Sequence, residues 1–559
     1  MYKLLIIVTA LIVQSAYSQI PVRRDLTVHG NEVSLSLPPS NSVSHMAIQD
    51  STIYIGTGNG LAKSIDGCRS WTSYRFDSAF AHNGIFAIAA RGATIWVATG
   101  YTTKDGDNNI QTGGGYAYST NGGAIWAHAA QPLDSCVELP SSNGHRVCKS
   151  YRTMQYGNLN DSVKVNAVTT PVANVTYDIA LTDNTVWVAS WSSSLRKSTD
   201  NGATWQQVLL PLDAMNSISE LDTLWYFAAN DTAHVDTLYQ FFDVVENDNL
   251  KAFSVLAINN DEIWCGTAGG VNRSTDGGHS WTKFNHRNQA APILGDWVIA
   301  IRDTRFGSTH RIWVTNWNGN TTIDPGQQYG ISYTDDNGKT WKGFPFGFRA
   351  YDFAFKDSIA YIATDEGIFR TADGGETFQR ISNGITLIGG SLTINSIVAA
   401  YDSSNRQVIA SSSFLCAGVI GDTVYLGTED GVARTVDNAE SAFGSTWNIY
   451  RTYSPLGTAK SSYAYPNPFS PAYEIVRIHY GKASDLSSSD RRVSIDIFDF
   501  SMSRVRTLLH DAIRYTSMEY DELWDARDDK GNVVANGVYF YRLKINDDEP
   551  IYGKILVIQ

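Results

Sequence analysis

The sequence predicts an all-β protein in which a four-stranded unit is repeated seven times and is followed by a small β-sandwich. Three observations predict this fold class. A turn octet recurs along the chain, a short β-branched and aromatic strand precedes each octet, and alternating strand patterns with Asp, Gly and Asn turns occupy the carboxyl end. The chain has 559 residues, of which 43% are hydrophobic and 18% charged, so it can bury a large core and is not a disordered or fibrous protein.

The octet reads Ser or Thr, any residue, Asp, any residue, Gly, any residue, Thr or Ser, and an aromatic residue. Asp and Ser or Thr side chains can satisfy backbone groups of a tight turn, and Gly permits a positive φ. The first copy has Cys68 in place of Gly, and the seventh is interrupted by an insertion. The third positions, which we expect to be structural, are Asp66, Asn121, Asp200, Asp276, Asp336, Asp373 and Asp437.

The strand before each octet alternates in the way expected of strands buried between stacked sheets. Its seven copies lie at 53–57, 95–99, 186–190, 263–267, 312–316, 360–364 and 424–428. Ten of the 15 Trp fall in these strands or at the ends of octets, so we expect most of the Trp content to be architectural. Each unit is predicted to run strand, strand, strand, octet turn, strand.

The octets resemble the Asp-box, also called the bacterial neuraminidase repeat, of sialidases, sortilin-type receptors, xyloglucan-active hydrolases and many non-enzymatic propellers. The resemblance implies a seven-bladed β-propeller over residues 41–455. It also implies that the octets join the third and fourth strands, away from the usual binding face. The motif therefore predicts the fold and leaves the function open.

The carboxyl-terminal segment is predicted to be a β-sandwich over residues 463–559, after a linker at 456–462. Its start at 465–469 (YPNPF) and its strands at 533–543 and 552–558 resemble the Ig-like sorting domain of type IX secretion substrates. That domain is related to the Ig-like domain of flagellar hook-capping proteins. The resemblance implies export through the outer membrane with the secretion machinery as a partner; an accessory β-domain without a sorting role is the alternative. Ala526 stands where family members often carry Gly.

The amino-terminal segment has the pattern of a secretory signal peptide. Lys3 supplies a positive charge, residues 4–13 are apolar, and residues 16–18 form a small-x-small cleavage site. We therefore expect a signal peptide at 1–18, an N-terminal extension at 19–40, no membrane-spanning segment, and a mature protein that is extracellular or on the outer cell surface. The net charge of −13, with no Lys- or Arg-rich block, argues against nucleic acid as a partner.

Export permits disulfide bonds, and two of the five cysteines are candidates for one. Cys136 and Cys148 lie in one polar segment and are the predicted pair. Cys68, Cys265 and Cys416 are singly placed, and we expect them to be small buried side chains and not catalytic thiols.

The sequence predicts no catalytic residue, metal ligand or cofactor. By resemblance, a sialidase would need an FRIP-like segment, an arginine triad, a Tyr/Glu nucleophile pair and an Asp acid/base. The segment at 20–25 has the wrong order for the first of these, and Arg196, Arg273, Arg370 and Arg434 recur near the octets as structural residues would. Two carboxylates of another type of glycosidase have no fixed spacing, so a glycoside hydrolase stays an alternative.

Insertions are predicted to build one face of the ring. Those at 100–115 and 317–330 separate second and third strands, and those at 127–174, 206–250 and 380–392 join one unit to the next. Both kinds of connection emerge on the same face, where binding loops vary most. The candidate ligand-binding residues are Tyr101, Trp191, Trp225, Tyr226 and Trp317, which equally suit a role in holding the loops on the ring.

These observations predict a secreted or surface-attached, non-catalytic propeller that binds a glycan or a protein through its inserted-loop face. A glycoside hydrolase, sialidase-like or of another type, and a purely structural scaffold of the cell envelope are the alternatives.

Overall fold

The computed structural model is all-β and divides into two compact units, Asp25–Tyr450 and Arg451–Gln559, which are described separately. It describes residues 26–559 apart from 30–31, 36–37, 75–76, 81, 83, 106–107, 136–137, 141–145, 149–150, 157–160, 223–224, 228–236, 240, 320–323, 382–393, 399–400, 403–406, 409–410, 412, 452–461, 473–474, 481–490, 515–519 and 547–548. The predicted signal peptide, most of the predicted linker and Cys136 lie outside these residues. In the described part of the chain, no helix has the length and hydrophobicity needed to cross a membrane.

The first unit contains seven antiparallel sheets whose four main strands pair in chain order, and we number these sheets blades 1 to 7. The strands are Val43–Gln49, Thr52–Thr57, Gly60–Ser64 and Trp71–Ser73 in blade 1; Gly84–Arg91, Thr94–Asp105, Asn108–Ser119 and Ala127–Ala129 in blade 2; Thr176–Leu181, Val186–Ser190, Ser194–Ser198 and Gln206–Val208 in blade 3; Ala252–Ala257, Ile263–Thr267, Gly270–Ser274 and Ser280–Phe284 in blade 4; Ile301–Phe306, Thr309–Asn316, Gly330–Thr334 and Lys342–Pro345 in blade 5; Ala350–Lys356, Ile359–Thr364, Gly367–Thr371 and Phe378–Ile381 in blade 6; and Phe414–Ile420, Thr423–Thr428, Gly431–Val436 and Asn448–Tyr450 in blade 7.

The blades close into a ring. Each neighbouring pair shares a buried hydrophobic cluster, and the last blade packs on the first through Val43 and Ile55 of blade 1 and Cys416 and Val432 of blade 7. The five-residue motifs of the second strands are buried along their whole length, as Ile263–Thr267 shows, because neighbouring blades cover both faces. A closed ring of this kind leaves only short sheet edges. The predicted seven-bladed β-propeller is confirmed.

Several shorter strands add to this ring. Glu32–Leu35 pairs with the fourth strand of blade 1 and with Leu26–His29, so part of the predicted N-terminal extension continues that sheet. Ser217–Ser219 extends blade 4, and Ile394–Val398 extends blade 6. The other short elements are the hairpins Glu138–Pro140 with Arg146–Cys148, Tyr151–Tyr156 with Asp161–Asn166, Trp225–Phe227 with Thr237–Tyr239, and Tyr401–Asp402 with Gln407–Val408, the strand Phe241–Phe242, and the 3-10 helix Asp248–Leu250.

The second unit is the predicted small β-sandwich. One sheet contains Ser462–Tyr465, Val476–Tyr480 and Tyr520–Trp524, and the other contains Arg491–Phe498, Arg504–Arg514, Gly537–Ile545 and Ile551–Val557. Both sheets contribute to one buried core that includes Ile478 and Trp524 from the first sheet and Ile495 and Tyr541 from the second. Ala526 has a φ of 55°, the left-handed region in which Gly is favoured, and is fully buried.

Candidate binding face

In most octets, the carboxylate of the Asp at the third position accepts hydrogen bonds from residues of the same turn. In blade 4, Asp276 Oδ1 accepts hydrogen bonds from Ser274 Oγ (2.7 Å), His279 N (3.0 Å) and Ser280 N (2.9 Å), and its Oδ2 accepts one from Ser280 Oγ (2.5 Å). These bonds lower the pKa of Asp276 although partial burial opposes them. Closely similar bonds surround Asp66, Asp200, Asp336 and Asp373. The turn occupies the carboxylate, which is therefore poorly placed to contact a ligand.

Two octets depart from this pattern. Asn121 keeps the bonds from Ser119 Oγ and Ile125 N, each 2.9 Å long, but Ile125 has no hydroxyl to donate to a second oxygen. Asp437 accepts hydrogen bonds from Tyr361 and from Arg370 Nε (2.6 Å), both in blade 6. The insertion after residue 438 separates Asp437 from the turn residues that its counterparts bind. Asp437 instead connects blade 7 to blade 6.

The arginines near the octets are also occupied by the scaffold. Arg434 Nη1 donates to the carbonyl oxygen of Gly67 in the octet of blade 1 (2.8 Å), and Arg273 pairs with Glu262 (2.9 Å). Arg370 holds Asp437, as described above. These contacts support the structural role predicted for the arginines.

The innermost strands carry a β-bulge at the same register in six blades. In blade 3, Thr176 pairs with Ser190 and Asp178 with Ala189, so Tyr177 is the additional residue. A bulge re-aims a side chain at the end of a sheet. The equivalent additional residues are Ser44, Phe86, Phe253, Tyr351 and Leu415. Because the bulge lies opposite the end of the second strand, it is on the face that bears the second-to-third connections, opposite the octets; we call this the upper face.

Six aromatic side chains, in two contacting groups, form a row on the upper face from blade 3 to blade 6, which we call the aromatic rim. Its members are Tyr177, Trp191, Phe253, Trp297, Trp317 and Tyr351. Ring centroids are 5.9 Å apart for Tyr177 and Phe253, 5.4 Å for Trp191 and Phe253, 6.1 Å for Trp191 and Trp297, and 5.6 Å for Trp317 and Tyr351. The backbones of Trp297 and Trp317 exchange two hydrogen bonds (3.2 and 2.8 Å), which join the two halves of the row. All except the buried Phe253 are half-buried.

Cationic side chains flank both halves of the rim. Lys251 Nζ lies 5.7 Å from the ring centre of Trp191, and the Arg349 guanidinium lies 4.9 Å from that of Trp317. Trp317 is fixed by a hydrogen bond from its Nε1 to the carbonyl oxygen of Ala350 (2.8 Å). Burial, helped by the carboxylate of Asp365, raises the pKa of Tyr351 to about 12, so its hydroxyl is neutral at physiological pH.

An ion cluster lies between the first strands, which contact one another around the ring and so surround its centre. Arg302 of blade 5 is 3.1 Å from Asp352 of blade 6 and 3.6 Å from Asp178 of blade 3. Asp178 also accepts hydrogen bonds from the backbone of Val255 (3.1 Å) and of Ile179 (3.0 Å). Burial raises the pKa of both carboxyl groups, while Arg302 opposes this rise. Both carboxylates are thus already engaged by the protein.

The candidate residues predicted from the sequence have different surroundings. Trp191 and Trp317 both belong to the aromatic rim. Tyr101 is 37% exposed and stacks on His82 in blade 2, with ring centroids 4.0 Å apart. Trp225 and Tyr226 lie in a described strand, but their side chains are outside the described residues, as is that of Cys148.

Sequence reasoning missed Tyr177, Phe253, Trp297 and Tyr351. The signal for three of them is periodic: Tyr177, Phe253 and Tyr351 stand nine or ten positions before the second-strand motif of their blades, and Phe86 does the same in blade 2. Trp297 follows no such rule because it precedes the first strand of its blade.

The longest insertions do not build the upper face in the predicted way. Lys164 and Val165 pair with Phe241 and Phe242, so the insertions at 127–174 and 206–250 form one small sheet. Its buried side chains, among them Val163 and Phe242, join the core between blades 3 and 4. Tyr156 in this layer donates to the carbonyl oxygen of His279, inside an octet. Because these apolar side chains are buried there, the insertions run along the outer edge of the blades. Residues 100–115, predicted as an inserted loop, instead lengthen two strands of blade 2, with 106–107 outside the described residues.

Three cysteines are buried and unpaired: Cys68, Cys265 and Cys416. Burial raises the pKa of Cys68 to about 12 and that of Cys265 further still, so these thiols stay protonated. Among the described residues, no group of three or more His, Cys, Asp or Glu side chains has the arrangement of a metal site.

No protein-family model matches this sequence, and no curated protein matches it. Similar solved structures include YCF48 bound to D1 peptide, with 14% identity and a TM-score of 0.38 over 75% of this chain and 98% of that chain. PorZ, a surface component of the type IX secretion system of Porphyromonas gingivalis, has 13% identity and a TM-score of 0.26 over 97% and 81%. The GH74 enzyme of Niastella koreensis has 10% identity and a TM-score of 0.41 over 94% and 74%. None of these similarities carries an argument about function.

Proposed function

We propose that the protein is a non-catalytic, extracellular glycan-binding propeller and that the ligand binds at the aromatic rim. The observation that carries this proposal is the row of six aromatic side chains at the upper face, three of them on bulged inner strands. Flat, half-buried indole rings suit the apolar faces of sugar rings, and such sites combine aromatic surface with a few polar groups. Lys251 is paired with Asp248 (2.6 Å), so it is Arg349 beside Trp317 that favours a glycan carrying an acidic group.

The scaffold itself supports this proposal. The octet carboxylates are engaged by their own turns or, for Asp437, by blade 6, which leaves the upper face as the part of the ring whose connections are free to vary. Trp317 is anchored through its Nε1, and Trp191 packs against Phe253, so the rim is preorganised before a ligand arrives.

A glycan array followed by calorimetric titration of the best hit tests the proposal. Because aromatic anchors often contribute 2 kcal/mol or more, Trp317→Ala and Trp191→Ala should each weaken binding by roughly 30-fold or more. The matched control is Phe500→Ala, which removes an aromatic side chain that is 80% exposed in the other unit. Equal affinity of the rim variants and the wild type would contradict the proposal, and hits confined to a protein array would replace the glycan by a protein ligand.

The glycoside hydrolase alternative rests on acids near the rim. Burial, with Asp324 adding to it, raises the pKa of Asp296 to about 6, as a general acid would require, and Asp178 and Asp352 lie in the centre of the ring. Asp296, however, accepts hydrogen bonds from His286 N (2.8 Å) and Gln327 Nε2 (2.9 Å). Release of a fluorophore from a panel of glycosides, abolished by Asp296→Asn or Asp178→Asn, would establish hydrolysis in place of simple binding.

We also propose export by residues 1–18 and delivery by the carboxyl-terminal unit acting as an Ig-like sorting domain. The support is the signal-peptide pattern together with the resemblance of the sandwich sequence to sorting domains. Deleting residues 462–559 should abolish surface delivery without abolishing passage across the inner membrane. Normal delivery of the truncated chain would refute the sorting role.

A further inference from the structure

A cavity of about 720 Å³ lies beside blade 3, and the proposed glycan site does not use it. Residues 130–135 of the insertion after blade 2 form one side of the cavity, and Arg152 and Met154 of the hairpin strand Tyr151–Tyr156 form another. Arg196 of the third strand, residues 202–203 of the octet turn and residues 205–207 at the start of the fourth strand complete it. It therefore borders an octet turn, whereas the aromatic rim is on the opposite face of the ring.

The charges that line this cavity do not cancel. Asp134 accepts hydrogen bonds from Arg196 Nη1 (3.2 Å) and Nη2 (2.9 Å), and its Oδ1 lies 3.0 Å from Arg152 Nε. Two guanidinium groups thus share one carboxylate, which leaves one positive charge unmatched among the lining residues. A partly buried cavity screens such a charge less than open water does, so an anion is attracted to it.

The two arginines have separate roles. The side chains of Arg196 and Asp134 are only 3% and 7% exposed, and Asp134 also accepts a hydrogen bond from the backbone of Val168 (2.9 Å). They form a fixed connection between the insertion and blade 3. Arg152 is 25% exposed and is oriented by a bond from its Nη2 to Gln207 Oε1 (2.6 Å). Arg152 therefore presents the remaining donors of its guanidinium to the cavity.

The walls around Arg152 are partly polar and partly apolar. Met154 and Trp205 are half-buried, Pro132 is buried, and Leu133 is exposed. Burial is the main cause of a lowered pKa for Arg152; the carboxylate of Asp134 opposes this shift and the neighbouring Arg196 adds to it. A second anion beside Arg152 would therefore stabilise its charged form. A planar guanidinium matches a carboxylate through two parallel hydrogen bonds.

We propose that this cavity is a second ligand site, selective for a small organic carboxylate whose apolar part packs on Trp205 and Met154 while Arg152 binds the carboxylate. The proposal does not depend on glycan binding at the rim. The site binds its ligand reversibly and without chemical change.

Titration calorimetry with benzoate, using benzamide as the neutral isostere and inorganic phosphate as a second anion, tests this site on the full chain. Benzoate should bind with a Kd of about 1–10 mM, the range expected for a fragment of its size, and at least about tenfold more tightly than benzamide. Arg152→Gln should weaken benzoate binding at least about tenfold. The control Arg91→Gln, which removes a surface arginine paired with Asp183, should leave it unchanged.

A variant that should strengthen benzoate binding separates ligand binding from a merely structural role of these residues. Asp134→Asn keeps the shape of the side chain and removes the competing carboxylate, so benzoate should bind more tightly than to the wild type. If that variant does not fold, Arg152→Gln decides the matter, because its side chain is partly exposed. Benzoate binding that is undetectable, unaffected by Arg152→Gln or equal to that of benzamide would overturn the proposal. Phosphate binding as tight as benzoate binding would overturn the stated selectivity.

Discussion

Replacing Asp276 by Ala should loosen one octet turn and leave the aromatic rim intact. The substitution removes both carboxylate oxygens, so Ser274 Oγ, His279 N, Ser280 N and Ser280 Oγ lose their acceptor. Ser274 is buried, but His279 and Ser280 are near the surface, where water replaces part of what is lost. By analogy with loss of a helix cap, which removes comparable bonds, the free energy of unfolding should fall by about 1–2 kcal/mol.

Hydrogen exchange measures this effect where it occurs. In Asp276→Ala the amides of 274–281 should exchange faster, while the octet of blade 5, at 334–341, serves as an internal control and should not change. The melting temperature of so large a unit should fall by only about 1–2 °C. Asp276→Asn is the matched variant, since it keeps one side-chain oxygen as Asn121 does, and it should show a smaller loss. Unchanged exchange in Asp276→Ala, or lost ligand binding with unchanged exchange, would refute a purely structural role of the octet.

Three further outcomes are expected. Gly278→Ala should lower the free energy of unfolding in urea by about 2–3 kcal/mol, because its φ is 89° and an added Cβ would lie 2.9 Å from Trp187. Cys68→Gly should stay within about 1 kcal/mol of the wild type, because relief of its φ of 74° offsets the lost burial of the side chain. Although partial burial opposes it, hydrogen bonding from Thr377 lowers the pKa of Asp373 from 3.8 to about 2. The stabilisation of the folded protein by ionised Asp373 is therefore complete above about pH 4 and is lost as the pH falls through 2. The difference in urea midpoint between wild type and Asp373→Asn should vanish over that interval.

The octets could be predicted from the sequence because their chemistry is local. Except in the seventh octet, the hydrogen bonds of each octet turn join residues at most four positions apart, so the donors and the acceptor appear together in one short motif. The seventh octet position also reflects the second carboxylate oxygen of the Asp. Where Asn121 replaces Asp, that position is Ile125, which has no hydroxyl group to donate to a second oxygen.

The proposed binding surfaces were less predictable because they depend on contacts between distant segments. The rim joins Trp191 to Trp297, and the cavity joins Asp134 to Arg196 across 62 positions of the chain. No local pattern shows that a bulge re-aims Tyr177. The path of the long insertions likewise depends on which of their apolar side chains are buried in the core between blades 3 and 4.

The most direct test of the account is fluorine NMR of protein labelled with 5-fluorotryptophan, titrated with the best glycan from the array. Resonances assigned by Trp→Phe variants should shift for Trp191, Trp297 and Trp317, and those of the octet residues Trp281 and Trp341 should not. Shifts confined to the octet tryptophans, with the three rim resonances unmoved at saturation, would contradict ligand binding at the upper face.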